Sequence, residues 1–389
     1  MQRDGIAKIR AIAVAPNNRK VAIATADLNI VLFDDKLQKK DKFATKPVDS
    51  KYGKKSYIVT SLAFSPDSTK LAIGQTDNIV FVYKLGETWD EKKVICNKFT
   101  QSAPVTSLIW PEENRLIIGL TDGKVRYASV HSNKCSTIYK TDAGIISLAQ
   151  SPNRRSFVSG HEDSAIILFS FETRTQSKIC VHTTPPYCLL LSNFGILAAG
   201  ADKRIVSYSE QGRILQEFDC GRDPKERSFN CAILDPTGYN AIFGSFDRLK
   251  LMSWSQRRGA WDEGQILTIK NLYVVTALTW KPDGSTGNLS GLVLSIDCAL
   301  KRALIKNQFE TTFVSPSQVV VRDINSDARC VLRSDKGLSI TDIRVMGRTS
   351  RYVIAYTAST LIMVDRETEK KGLKSYNFFP RLQENNNFL

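Results

Sequence analysis

Between Val59 and Leu85 the chain reads VTSLAFSPDSTKLAIGQTDNIVFVYKL, three apolar-rich runs separated by two polar breaks. VTSLAFS alternates apolar and polar side chains with the period of two that a half-buried strand requires; LAIGQ and IVFVYKL continue as further strands. Pro, Asp, Ser and Asn are confined to the breaks PDSTK and TDN. These residue types favour turns because Pro fixes φ and Asp or Asn can bond back to nearby amides. One such unit cannot bury both of its faces, so it requires neighbours of the same kind.

The neighbours are present. Aligning the apolar residue that follows a small one in each first strand gives Ile12, Leu62, Leu108, Leu148, Leu189, Ile233 and Leu278, in steps of 50, 46, 40, 41, 44 and 45 residues. A period near ~45 residues with four short strands per period is that of β-propeller blades. An acidic residue marks the second turn at Asp27, Asp77, Asp122, Asp163, Asp202 and Asp247. An Asp there can accept amide hydrogen bonds and hold the hairpin, so the expected role is structural.

Third strands follow as NIVLFD, NIVFVYKL, KVRYASV, AIILFSF, RIVSYSE and RLKLMSW; none ends in Trp-Asp, which marks a divergent relative of the WD repeat class. Fourth strands follow as DKFATK, VICNKFT, STIYKT, KICVHT, ILQEFD and QILTIK, with RALIKN expected to serve the seventh unit. That unit begins with VTALTWKPDGS, but TGNLSG, 286–291, stands where a second strand and an Asp turn belong, so a short, irregular second strand is expected. SQVVVRDI, ARCVLRS, SITDIRVM, RYVIAYT and TLIMVDRE then continue the strand pattern with a looser period. The expected architecture is all-β: a seven-bladed WD40-like β-propeller over 1–307, the beginning of a second β-propeller over 308–366, and a charged, Asn-rich, disordered tail over 367–389.

Composition adds one bias. Lys and Arg number 54 against 39 Asp and Glu, a net charge of +15, which favours acidic partners: a protein face, an anionic membrane surface or nucleic acid. The 42% hydrophobic and 24% charged fractions are those of a globular chain. Eight cysteines without CxxC or regular spacing suggest neither a disulfide framework nor a zinc knuckle, and a reducing compartment fits best. The N-terminus alternates like a first strand and lacks a signal-peptide core, and no run reaches the ~18 apolar residues of a membrane span, so a cytosolic, unanchored chain is expected.

No GxSxG elbow, P-loop or HExxH occurs, and His131, His161 and His182 share no local metal-ligand spacing, so neither catalysis nor a cofactor is expected. GLTDGKV lacks the Lys-Ser or Lys-Thr ending of a phosphate loop and reads as a hairpin turn, and His161 is expected to satisfy a neighbouring backbone group. Candidate chemistry therefore reduces to surface. Two loops joining a fourth strand to the next first strand are long and basic. Lys46 to Tyr57 gathers Lys51, Lys54 and Lys55 with Tyr52 and Tyr57 as candidate anchors; Gly221 to Phe229 gathers Arg222, Lys225 and Arg227. Basic residues beside aromatics suit an acidic partner through steering and stacking. SQRRGAW belongs to the opposite face, where Arg257, Arg258 and Trp261 are expected to form a separate patch. RNA and anionic membrane are the rival partners, although no RNA-binding motif accompanies the charge.

The stretch DKFATKPVDSKYGKKSYIVTSLAFSPDSTKLAIGQTDNIVFVYKLGETWDEKKVICNKF, Asp41 to Phe99, resembles the intraflagellar transport protein 172 family, as do KCSTIY, RDPKER, GSFDRLK, NLYVVTALTWKPDGS and FVSPSQVVV. Together the matches span about Asn17 to Arg366. The resemblance implies an N-terminal propeller pair, a role in ciliary assembly and transport, and no enzymatic activity. It also implies partners: other subunits of the intraflagellar transport B complex, notably the one with a calponin-homology domain, and indirectly the kinesin and dynein motors. Location at the cilium or flagellum, basal body and cytoplasm follows from the same resemblance. The family continues into a complete second propeller and helical repeats, whereas KKGLKSYNFFPRLQENNNFL departs from it; a fragment, a truncated gene model and a short paralogue are the expectations that fit. The short N-terminus and the damaged seventh unit leave closure of the first ring open.

Overall fold

The computed structural model describes residues 9–48, 56–246, 248–268, 274–280, 292–297, 301–315, 317–326, 328–334, 338, 340–347, 350–366 and 374–377. In it VTSLAF forms a strand, Val59–Phe64, antiparallel to Lys70–Gln75, which pairs with Ile79–Lys84 and then Val94–Thr100. Five further four-stranded antiparallel sheets are built alike, numbered here as blades 1 to 6 in chain order. The innermost strands of successive blades abut one another, and Val274–Trp280 of the seventh sheet abuts both its predecessor and Ile9–Val14, so seven sheets close a ring. Closure, left open by the sequence, comes from side-by-side packing of the innermost strands.

The core lies between blades. One apolar cluster joins Ala11, Ala24, Ile30 and Leu32 of blade 1 to Leu62, Leu71, Ile73 and Phe81 of blade 2, and another joins Leu190 and Leu197 of blade 5 to Phe243, Met252 and Trp261 of blade 6. Interblade packing explains why one blade cannot stand alone. It also requires close approach. Ser61 pairs across the strands with Gly74, Ser107 with Gly119, Ser147 with Gly160 and Cys231 with Gly244. A Cβ on Gly74 would lie 2.6 Å from Ser61 Oγ and 2.7 Å from Val105 Cγ1 of blade 3. In blade 6, Cys231 rather than Ala232 pairs with Gly244, so Ala232 and not Ile233 occupies the position of Leu62, correcting the sequence ruler by one residue.

First turns follow one plan. In Ala15-Pro16-Asn17-Asn18, Ser65-Pro66-Asp67-Ser68, Ser151-Pro152-Asn153-Arg154 and Asp235-Pro236-Thr237-Gly238, the fourth N–H donates to the first carbonyl at 2.8, 2.8, 2.9 and 3.0 Å. Each fourth residue adopts a positive φ between 60° and 78°. Pro presets φ at the second position and the third is Asn, Asp or Thr, as such turns require.

The seventh blade and the tail differ from expectation. LVLSID, Leu292–Asp297, is itself the second strand, paired with Val274–Trp280, and among the described residues the sheet has two strands. The TGNLSG stretch lies outside the described residues. RALIKN does not supply a fourth strand: Lys301–Ile305 pairs with Phe309–Ser315 and opens a new four-stranded sheet with Gln318–Asp323 and Arg329–Arg333. The chain accordingly divides into compact units Met1–Cys298 and Ala299–Leu389, not at 307. The second unit adds a sheet of Asp342–Met346, Tyr352–Tyr356, Thr360–Asp365 and Lys374–Asn377. Its last strand falls inside the segment expected to be a disordered tail, because Lys374–Asn377 completes the ladder on Thr360–Asp365. The two sheets share a core of Phe309, Val319, Leu332, Val353 and Ile362.

Candidate interaction face

In blades 2 to 5 the second turn and the loop that enters the blade are hydrogen-bonded to each other, which puts both on one face of the ring. Ile58 accepts from Thr76 N–H at 3.0 Å, and Val48 N–H donates to Asp77 Oδ2 at 2.8 Å. Ser102 Oγ donates to Asp122 at 2.7 Å, and Thr183 Oγ1 bonds Asp202. Asp27 bonds Thr25 and Asn29 within its own turn, and Asp163 accepts Ala165 N–H at 3.1 Å. Asp77, Asp122 and Asp202 thus tie the incoming loop to the hairpin, a wider structural role than hairpin register. Asp247 lies outside the described residues. The turn Asp is followed by a residue at positive φ, Leu28, Asn78, Gly123, Ser164 or Lys203, only one of them glycine.

His161 and His182 belong to the same fastening. His161 is 1% exposed; its Nε2 lies 2.8 Å from Ser159 Oγ, and its Nδ1 faces Thr141 Oγ1 at 3.2 Å and the Ala143 carbonyl at 3.4 Å. Burial lowers its pKa, opposed by the Ala143 carbonyl and the charge of Asp163. His182 Nδ1 lies 2.8 Å from the Tyr208 hydroxyl and its Nε2 3.7 Å from Asp202. Both His161 nitrogens are thus engaged within the fold, whereas the buried Nε2 of His182 has no hydrogen bond among the described residues.

Of the two basic loops, the second is fully in view. The segment after Asp219 forms a 3-10 turn, Cys220–Arg222, capped by the Asp219 carboxylate, which accepts Gly221 N–H at 2.9 Å. Its backbone is fastened at both ends to the blade 5 turn, Cys220 N–H to the Lys203 carbonyl and Phe229 N–H to the Gly200 carbonyl. A polar network from blade 6 supports it beneath. Arg248, 8% exposed, bonds Asp223 Oδ2 at 2.5 Å and faces Glu226 Oε2 at 3.7 Å, and Ser245 Oγ donates to Glu226 at 2.6 Å. The hydrogen bond from Arg248 lowers the Asp223 pKa. Charge-assisted bonds to a buried guanidinium fix geometry as well as sign. With Glu226 and Phe229 turned inward, Arg222, Lys225 and Arg227 are left on the outside, all exposed. Only a contact of 3.8 Å from Arg222 to Asp219 draws on their charge among the ion pairs in view. The result is a basic rim on a braced support.

The first loop is seen at its ends. Lys51, Tyr52, Lys54 and Lys55 lie outside the described residues. Tyr57 is 7% exposed and its hydroxyl lies 2.9 Å from Thr45 Oγ1, so its ring packs inside the fold and is not a surface anchor. On the opposite face Arg257 and Arg258 are exposed and Arg258 pairs with Asp262, whereas Trp261 is 1% exposed and contacts the edges of Phe194 and Trp254. Trp261 therefore leaves the expected patch, because the strand turns it toward blade 5, where its backbone N–H donates to Gln216 Oε1 and its backbone carbonyl accepts from Gln216 Nε2. Sequence reading missed Arg248, Glu226 and Ser245. Their one signal is that GSFDRLK puts Ser and Arg on either side of the turn Asp.

Comparison with known proteins supports these observations. The family model of the WD domain, G-beta repeat, matches residues 45–84. The chain is 48% identical over 371 residues to intraflagellar transport protein osm-1 of Caenorhabditis elegans, 46% over 375 to the intraflagellar transport protein 172 homolog of Homo sapiens, and 40% over 381 to intraflagellar transport protein 172 of Chlamydomonas reinhardtii. These alignments cover 95%, 95% and 94% of this chain but only 21%, 21% and 22% of the relatives, so the chain spans about a fifth of their length. Among solved structures, that of U3-55K superposes with a TM-score of 0.61 at 16% identity, covering 76% of this chain and 90% of that one. The WD40 repeats of RRP9 superpose at 0.60 and 14% identity, covering 85% and 96%. At such identities the likeness is one of fold.

Proposed function

From the homology of this chain to the N-terminal region of intraflagellar transport protein 172, we propose that it is a non-enzymatic scaffold of the intraflagellar transport B complex, docking partner subunits for ciliary assembly and transport along the axoneme. The observation that carries this reading is identity of 40% to 48% along nearly the whole chain. It works at the cilium or flagellum, the basal body and the cytoplasm, and reaches the kinesin and dynein motors through the assembled complex. Among partners, a subunit with a calponin-homology domain is the foremost candidate.

The mechanism is binding without turnover. Arg222, Lys225 and Arg227, with Lys51, Lys54, Lys55 and Tyr52 of the loop that enters blade 2, steer and hold an acidic protein face. Two experiments test the reading. Affinity purification of the tagged native protein should co-purify other B-complex subunits; their absence removes the assignment. Replacing Arg222, Lys225 and Arg227 together by Glu should slow association with those subunits about tenfold or more and flatten its salt dependence. Unchanged association rates would remove the site and leave the fold untouched. Tight, steeply salt-dependent RNA binding, or flotation with anionic liposomes, would instead favour the rival partners.

A further inference from the structure

Lys250, in the third strand of blade 6, Arg248–Ser255, is 4% exposed, and its ammonium has two partners among the described residues. One is Glu263 Oε2 at 3.1 Å, in the outer strand Ala260–Thr268 of the same blade. The other is the thiol of Cys220, 2.9 Å away and itself buried, in the 3-10 turn that begins the second basic loop. Sulfur is a weak hydrogen-bond acceptor, so a thiol is a poor partner for a buried ammonium compared with a carbonyl or a carboxylate. What the fold does bring together is a nucleophilic amine and an oxidisable sulfur from positions 30 residues apart.

The Glu263 side chain is half exposed, so the polar trio runs from the interior out to solvent and gives a small polar oxidant a way in. Burial raises the Cys220 pKa, and the bond from Lys250 opposes it. Burial likewise works against the Lys250 charge, but Cys220 and Glu263 outweigh it and leave the Lys250 pKa raised. The amine is thus charged at neutral pH and faces any thiolate that forms at Cys220. Each described cysteine is a free thiol, so the group that an oxidised Cys220 sulfur meets is the Lys250 nitrogen.

We propose that Cys220 and Lys250 form a modification site, at which hydrogen peroxide joins the two side chains through a sulfur–nitrogen bond that thiols can reduce. The Cys220 thiolate attacks one peroxide oxygen and the O–O bond breaks. This leaves a sulfenic acid, and the departing hydroxide takes a proton from the Lys250 ammonium to become water. The neutral amine then attacks the sulfur, the S–O bond breaks, and the second hydroxide leaves with an amine proton as water. One peroxide is reduced to two waters while the sulfur is oxidised by two electrons and the pair loses two hydrogens. The new bond staples the turn that carries Arg222 to the strand beneath it. A small thiol reverses it by attacking the sulfur and releasing the amine. The site stands on this contact, whether or not the basic rim docks a partner.

The test treats the full chain with excess hydrogen peroxide, blocks the remaining thiols and digests with trypsin, which does not cut after a modified lysine. Segments 214–222 and 249–257 should appear joined, with a mass two hydrogens below their sum, and dithiothreitol should separate them. Peroxide treatment in concentrated urea should yield no joined species, because unfolding parts the two side chains. Cys220→Ser and Lys250→Arg should each abolish it, since Arg keeps the charge without a nucleophilic amine. If Lys250→Arg does not fold, the unmodified sequence and Cys220→Ser still decide the matter. Cleavage after Lys250 undiminished by peroxide, with Cys220 left as a thiol or carried on to a sulfinic acid, would overturn the proposal. So would a joined species that persists in Cys220→Ser or forms equally in urea.

Discussion

Asp67, third in the Ser65-Pro66-Asp67-Ser68 turn, accepts Thr69 N–H at 3.0 Å, Thr69 Oγ1 at 2.7 Å and Lys70 Nζ at 3.3 Å, and it bonds Ser65 Oγ. Burial alone would raise its pKa, but these hydrogen bonds outweigh it and lower the value to about 2 from 3.8. The charged form is therefore favoured by the native state. Its contribution to stability is complete above pH 4 or so and is lost as the pH falls toward 2. Asp67→Asn should cost on the order of 1–2 kcal/mol near neutrality, and the deficit should shrink near pH 3. Urea midpoints at the two pH values measure this, and a deficit independent of pH would rule out the carboxylate charge as its source. The turn was legible because Pro, Asp and Ser cluster there. The left-handed residues were not: Leu28 at φ 64° and Lys203 at φ 61° carry no glycine to announce them, and only the closed hairpin forces them there.

At the scale of the element, the pairing of small residues across the first two strands decides how closely blades approach. Gly74 has Val105, 1% exposed, pressed against it from the next blade, and Gly119 has Ile145 in the same relation. Gly74→Ala should destabilise the chain by about 1–3 kcal/mol through overpacking, read from the urea midpoint. A shift below ~0.5 kcal/mol would mean that the seam between blades 2 and 3 can open at little cost. Strand existence was legible from alternation, and so was the repeat. Which residue of blade 6 matches Leu62 was not, since Ala232 and Ile233 both fit an alternating run and only pairing of Cys231 with Gly244 separates them. For the same reason RALIKN read as a fourth strand. Its apolar pattern suits either sheet, and strand pairing assigned it to the next one.

On the scale of the whole molecule, the division at Cys298 and Ala299 separates two units that each have a core of their own. Domains with separate cores unfold as separate units unless strongly coupled. Scanning calorimetry of the full chain should therefore resolve more than one transition, and a single transition with equal calorimetric and van't Hoff enthalpies would contradict the division. The basic rim belongs to this scale as well. Arg222, Lys225 and Arg227 face outward because Arg248 and Ser245, contributed by the next blade, hold Glu226 inward.

By itself the sequence determined the all-β class, the repeat of about 45 residues, the turns and the family resemblance, because each is written in local alternation, turn chemistry or exact wording. Only the tertiary structure decided that the ring closes through Val274–Trp280 and Ile9–Val14, and that Tyr57 and Trp261 are buried. These are facts about contacts between residues far apart in the chain. A period-two pattern shows that a side chain has an inner face to occupy, but which neighbour covers it depends on the blades that pack beside it.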